Sequence, residues 1–198
     1  MSRPQDPSRE DAAAVPDHRL FFALYPDTPT ALRLAALASR LRTQLGLKGK
    51  PHDMQRLHVT LHHLGDFVGM PGEVRAAAEA AAAGLAWPRF GLSFDQLLSF
   101  TRKRSNRPLV LGGGVGLDAV RAFRQALGEA LVRAGLPVQA HFTPHLTLLY
   151  DDKTVSPQAV DPIGWTAGEF VLVDSLLGQH RHVALARWPL RAASDQES

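Results

Sequence analysis

His58-Val59-Thr60-Leu61 and His145-Leu146-Thr147-Leu148 repeat one four-residue pattern, each inside an apolar run, 87 positions apart in a chain of 198 residues. On a strand, residues two apart project from one face about 6.5 Å from each other, and the residues between them project from the opposite face. Each copy therefore sends Val59 and Leu61, or Leu146 and Leu148, into a core and presents an imidazole and a hydroxyl on one surface. With nine histidines and nine threonines in the chain, chance places a threonine two after a histidine roughly 0.4 times. Three cases occur. The third, His141-Phe142-Thr143, runs into Pro144, which breaks the pattern and suits a loop or strand entry.

Outward from these strands, the patterning alternates between strand and helix. Leu20 to Leu24 is a short apolar run closed by Tyr25-Pro26-Asp27 and reads as a buried strand. Leu34, Leu37, Leu41 and Leu45 recur at three- and four-residue steps, predicting a helix over 30–45. Leu57 to Leu64 reads as a strand stopping at Gly65-Asp66. The Ala-rich stretch 71–84 reads as a helix from Pro71 to Gly84. Phe90 to Phe100 and Pro108 to Leu111 read as strands joined by an exposed basic loop, Thr101 to Arg107. Val120, Phe123, Leu127 and Leu131 predict a third helix over 117–134. After the strand His145 to Tyr150, Phe170 to Val173 and Val183 to Trp188 suggest a closing hairpin around 175–180. The expected class is α/β of the α+β kind, with antiparallel pairing. Residues 19–191 are expected to form a single domain, with 1–18 and 192–198 as polar, disordered tails.

The chain has no cysteine, which excludes disulfides, thiol nucleophiles and cysteine zinc sites. His58 and His62 stand four apart, but Val59-Thr60-Leu61 between them favours a strand and lacks the glutamate of His-Glu-x-x-His, so no metal site is expected. No cofactor is expected either. No apolar stretch reaches the roughly 20 residues of a membrane span, and no basic-then-apolar leader opens the sequence, so a cytoplasmic protein with no membrane partner is expected. The net charge of +3 is compatible with a polyanionic partner but too small to predict one. Gly112-Gly113-Gly114-Val115-Gly116 lacks the Lys-Ser/Thr of a phosphate loop and reads as a strand-to-helix turn.

Two imidazoles and two hydroxyls across a cleft are the minimum for metal-free phosphoryl transfer. One neutral imidazole takes a proton from the attacking hydroxyl and one imidazolium gives a proton to the leaving oxygen. The hydroxyls and a nearby cation hold the nonbridging oxygens. The pattern resembles the two-histidine (2H) phosphoesterase superfamily, and within it the RNA 2',3'-cyclic phosphodiesterases also called 2'-5' RNA ligases. The resemblance extends to Arg19-Leu20-Phe21-Phe22-Ala23-Leu24, to Leu57–Asp66 (LHVTLHHLGD), to Phe142–Leu148 (FTPHLTL), to Glu169–Leu177 (EFVLVDSLL) and to Arg187-Trp188-Pro189-Leu190.

The resemblance implies a bilobal, pseudo-twofold fold with two antiparallel sheets facing a central cleft and helices outside. It implies hydrolysis of an RNA or nucleoside 2',3'-cyclic phosphate to a 2'-phosphate without metal. His145 would be the proton acceptor for water, His58 the donor to the departing 3' oxygen, and Thr60 and Thr147 the phosphate contacts. The alternatives in the same cleft are joining or opening 2'-5' RNA linkages, or another cyclic phosphate such as one derived from ADP-ribose. A non-catalytic RNA-binding module is a further alternative. A monomer is expected.

Many relatives carry an arginine shortly after the second motif, where this chain has Leu149-Tyr150-Asp151-Asp152. Either Tyr150 takes over a substrate contact or the phosphate-binding cation comes from elsewhere. His62 shares the face of His58 if pairing is regular, giving a cleft role beside an equally good structural one. Arg102, Arg104 and Arg107, with Lys103, offer backbone contacts to RNA from the basic loop, although a solvated loop tip is the commoner fate of such residues. Tyr25 and Phe100 are candidates to stack on a base, with burial favoured for the phenylalanine.

Overall fold

The first strand, β1 (His18–Leu24), is buried on both faces. Leu20, Phe22 and Leu24 enter the main core, while Phe21 and Ala23 form a second small cluster on the opposite face with Val171 and Val173. The computed structural model describes residues 14–192. The rest of both expected tails lies outside the described residues, and β1 starts one residue before the expected domain edge.

The order continues as α1 (Thr28–Gln44), a short 3-10 turn at Met54–Arg56, β2 (Val59–Phe67), α2 (Gly72–Ala83), β3 (Phe90–Ser99), β4 (Arg107–Gly112) and α3 (Leu117–Arg133). It ends with β5 (Leu146–Asp151), β6 (Gln158–Ala167), β7 (Glu169–Leu176) and β8 (Arg181–Pro189). Local chemistry accounts for the start of α1. The Asp27 carboxylate accepts from the Thr30 amide at 2.8 Å, and Pro29 occupies the first turn, where its missing N–H costs nothing.

The strands form two four-stranded antiparallel sheets, β2-β1-β7-β8 and β5-β4-β3-β6. The two His-x-Thr patterns thus open the edge strands β2 and β5, one in each sheet, as the pseudo-twofold expectation requires. The helix α1 packs on β5 and β6 of the second sheet, and α3 packs on α2, β3 and β2. The predicted apolar face of α3 is the buried one, Val120, Phe123, Leu127 and Leu131.

Sequence reading omitted β6, whose segment contains Pro162 and Gly164. It is an edge strand, and its pairing with β3 is irregular opposite Phe94 and Gln96, around Pro162. An edge strand tolerates a residue with no N–H to donate. The glycine run 112–116 is a turn folded onto β3, where a Cβ on Gly114 would stand 2.1 Å from the Ser93 carbonyl oxygen.

A buried carboxylate fastens the segment after α1 to the second sheet. Asp151 Oδ2 accepts from the Lys48 and Gly49 amides at 2.6 and 2.7 Å, and Oδ1 accepts from the Lys153 amide at 2.8 Å. These N–H donors, Lys153 first, hold Asp151 below the usual carboxylate range. Gly49 packs so closely that a Cβ there would lie 1.9 Å from the Tyr150 carbonyl oxygen. Asp151→Ala leaves these donors without a partner and is expected to cost about 2–4 kcal/mol, read from urea unfolding at pH 7.

Candidate active site

The two His-x-Thr pairs are built alike down to their backbone irregularities. In β2, Ala23 faces Thr60 and Phe22 faces His62, so Leu61 is an extra residue in the ladder. In β5, Val110 faces Thr147 and Leu109 faces Leu149, so Leu148 is the extra residue. A bulge thus follows each threonine, bending the strand there. Val59, Leu61, Leu146 and Leu148 are buried, as the alternation predicts.

Both imidazoles are held by the same device. His58 Nδ1–H donates to the Arg56 carbonyl oxygen at 2.6 Å, and His145 Nδ1–H donates to the Thr143 carbonyl oxygen at 2.7 Å. A carbonyl only accepts, so each neutral ring carries its proton on Nδ1 and leaves Nε2 as a lone pair. The Thr60 hydroxyl donates to His58 Nε2 at 3.0 Å. Burial pushes His58 down to about 4, with the charges of His145 and Arg56 adding to it, and burial lowers His145 as well. The effect of His145 on His58 places the two rings within electrostatic reach of each other, and burial favours the neutral form of both.

A cavity of about 580 Å³ connects the sheets, bringing Thr60 and His63 of β2 to Phe100, Arg102 and His145. Phe100, expected to favour burial, stands edge-on to the His145 ring at 4.8 Å and lines the cavity. A hollow of about 780 Å³ lies next to it against α3, but it contains neither His-x-Thr pair.

The bulge corrects one expectation. Past Leu61 the alternation reverses, so His62 turns away from the cleft, is buried, and donates from Nε2 to the Arg124 carbonyl oxygen of α3 at 2.8 Å. His63 takes the cleft position instead. His62→Ala is expected to lower stability by about 1–3 kcal/mol while leaving turnover within about threefold, measured by thermal melts alongside initial rates.

Of the basic loop, Arg102 lines the cavity. Arg107 instead donates to the Asp152 carbonyl oxygen, and Arg104 is exposed on the loop without a part in the cavity wall. Tyr150 is 40% exposed and stands edge-on to His52 at 5.6 Å.

Two features escaped sequence reading. The first is an aromatic wall behind His58. Phe21 stacks on it at 5.0 Å, Tyr25 lies at 5.7 Å, and His182 stands edge-on at 5.1 Å while bonded through Nδ1 to the Tyr25 hydroxyl at 3.1 Å. Burial first, then neighbouring charges, lowers His182 to about 3 and His52 to about 4. No spacing in the sequence ties position 182 to position 58. The second feature is Arg124 of α3, whose Nε donates to the Leu61 carbonyl oxygen at 3.0 Å and whose terminal nitrogen donates to that of Gln139. Its guanidinium lies over the Phe142 ring, 4.6 Å from the centroid. Among the described residues it makes no ion pair, and it lines the cavity. The absence of a carboxylate three or four positions away in the helix was the available signal. The cleft therefore has a fixed cation supplied from outside the second motif.

Chemically, two neutral imidazoles with unprotonated Nε2 atoms, one of them accepting from Thr60, together with a guanidinium can bind an anion and move protons on both sides of it. Among the described residues no group of three or more His, Asp or Glu side chains is placed to hold a metal ion, and no helix is long and apolar enough to cross a membrane.

The sequence profile described as the 2'-5' RNA ligase superfamily matches residues 26–179. No curated protein sequence matches the chain. Among solved structures, the chain is similar to Escherichia coli LigT in its apo form, with a TM-score of 0.70 and 24% identity over 89% of this chain and 99% of that one. A protein of Thermus thermophilus gives 0.63 and 22% over 88% and 99%. Escherichia coli LigT has also been crystallised with 3'-AMP (TM-score 0.66, 24% identity, 89% and 99% covered) and with phosphate (0.64, 23%, 89% and 99%). These likenesses support the fold.

Proposed function

Because the chain belongs to the 2'-5' RNA ligase superfamily, we propose that it hydrolyses the 2',3'-cyclic phosphate end of RNA, or of a nucleotide, to a 2'-phosphate by metal-free acid–base catalysis. The observation that carries this reading is the matched pair of imidazoles, each locked by Nδ1–H on a carbonyl two residues earlier so that Nε2 is the unprotonated nitrogen. The crystallisation of Escherichia coli LigT with 3'-AMP and with phosphate supports a nucleotide phosphate as the occupant.

In the proposed reaction water attacks phosphorus, forming a P–O bond while the bond from phosphorus to the 3' oxygen breaks. His145 Nε2 takes the water proton and His58 Nε2–H gives one to the 3' oxygen. The Thr60 and Thr147 hydroxyls donate to the nonbridging oxygens as charge builds there. In the empty site burial disfavours a proton on His58, so the donor role depends on the anionic phosphate, whose charge brings the proton onto that ring. The proton count belongs to the pair and not to either ring alone.

The test is incubation with nucleoside 2',3'-cyclic phosphates in EDTA, with products read by phosphorus NMR. The reading expects 2'-phosphate. Turnover that stops on chelation and returns with zinc would overturn the metal-free mechanism, and conversion of 2'-5' linkages with the cyclic ends untouched would replace the substrate.

A further inference from the structure

We infer that the cleft contains a second anion subsite, formed by Arg124 and Arg102 with His63 beside it to accept from the sugar, which takes the phosphodiester link preceding the cyclic phosphate, so that oligonucleotide ends are preferred over mononucleotides. The inference rests on the reading of the His-x-Thr pairs as the reacting site.

The cavity beside Thr60 and His145 measures about 580 Å³, within the roughly 300–1,000 Å³ of pockets that enclose whole organic ligands and far beyond what one phosphate fills. Past the reacting groups its wall carries Arg102, Arg124, His63 and His141, and no lining residue is a carboxylate. Among the described residues neither arginine makes an ion pair. Arg124 is already oriented by two carbonyl oxygens and the Phe142 ring, so little side-chain freedom is lost when its remaining donors meet a phosphate.

His63 is also pre-positioned. Its Nε2–H donates to Asp66 Oδ1 at 3.0 Å, and Asp66 is gripped by Arg19 at 2.7 and 2.6 Å. The Arg19 hydrogen bonds, foremost, hold Asp66 down to about 2, so the carboxylate stays ionised as an anchor. That leaves His63 Nδ1 as a lone pair that accepts from a sugar hydroxyl beside the phosphodiester link. The bulge at Leu61, just past Thr60, is what turns His63 into the cleft beside the reacting site.

The test compares kcat/KM for a dinucleotide ending in a 2',3'-cyclic phosphate with that for the nucleoside 2',3'-cyclic phosphate. Wild-type protein should prefer the dinucleotide at least about tenfold, mainly through KM, with a steeper salt dependence by about 0.7 per added phosphate. His63→Ala and Arg102→Ala should each cut the ratio about threefold or more, and Arg124→Ala should bring it near one. A wild-type ratio near one, or variants that lower both substrates equally, overturns the subsite. Calorimetry with uridine 3'-phosphate and with a dinucleotide carrying the same 3'-phosphate separates binding from turnover. If neither cyclic substrate reacts, the hydrolase reading fails. The subsite then stands only if the dinucleotide binds about tenfold tighter and loses that margin in Arg124→Ala, and equal affinities overturn it.

Discussion

His58→Ala and His145→Ala should each reduce kcat on a nucleoside 2',3'-cyclic phosphate by about 10²–10⁴, the usual contribution of a positioned acid or base. The loss should be in turnover more than in KM, because each imidazole acts on a proton that moves only in the transition state. The double variant should be little worse than the poorer single one, since acid and base operate as a unit. A wild-type rate unaffected by EDTA, compared with these variants in steady-state assays, checks the prediction. Thr60 hydrogen-bonds His58 Nε2, so a folded His58→Ala protein, confirmed by an unchanged melting profile, is the necessary comparison.

The second large effect is on pH. Burial lowers both His58, to about 4, and His145 from the ordinary histidine value. The active form needs one proton on the pair. In the free enzyme, raising pH removes that proton through a pKa below 6.5, and lowering pH protonates the acceptor as well. The kcat/KM profile should therefore be a bell with its maximum on the acidic side of about pH 6.5, falling about tenfold per pH unit on the alkaline limb. Between that maximum and about pH 8.5 the decline should reach about 10². The bound phosphate favours protonation, so the alkaline limb of kcat should lie at higher pH than that of kcat/KM. Coincident limbs would mean that the phosphate does not meet the pair.

Much of this was legible in the residues. Period-two alternation placed Val59, Leu61, Leu146 and Leu148 inside with the His and Thr side chains opposite, and the spacing of Val120, Phe123, Leu127 and Leu131 drew the buried face of α3. Regular alternation failed after Leu61 and Leu148, because a bulge is set by how the neighbouring strand pairs and not by the bulged residue itself. That is why His62 and His63 exchanged places. The edge strand β6 was hidden by Pro162 and Gly164, which weaken the strand signal. Arg124 and His182 come from elements far along the chain, so only the fold brings them to Leu61 and His58. Asp151, which had looked like a departure beside the second motif, is occupied with backbone amides.

The claim at the centre is that His58 and His145 share one phosphate through matching Nε2 positions. Nitrogen-15 NMR of the histidine rings, with and without a nucleoside 2'-phosphate, tests it most directly. The account predicts both rings as neutral Nδ1–H tautomers in the free protein at pH 7. It also predicts that both Nε2 signals move together with nucleotide concentration, the pair gaining a proton as the site fills. A response confined to one ring, or Nε2–H tautomers in the free protein, would contradict it.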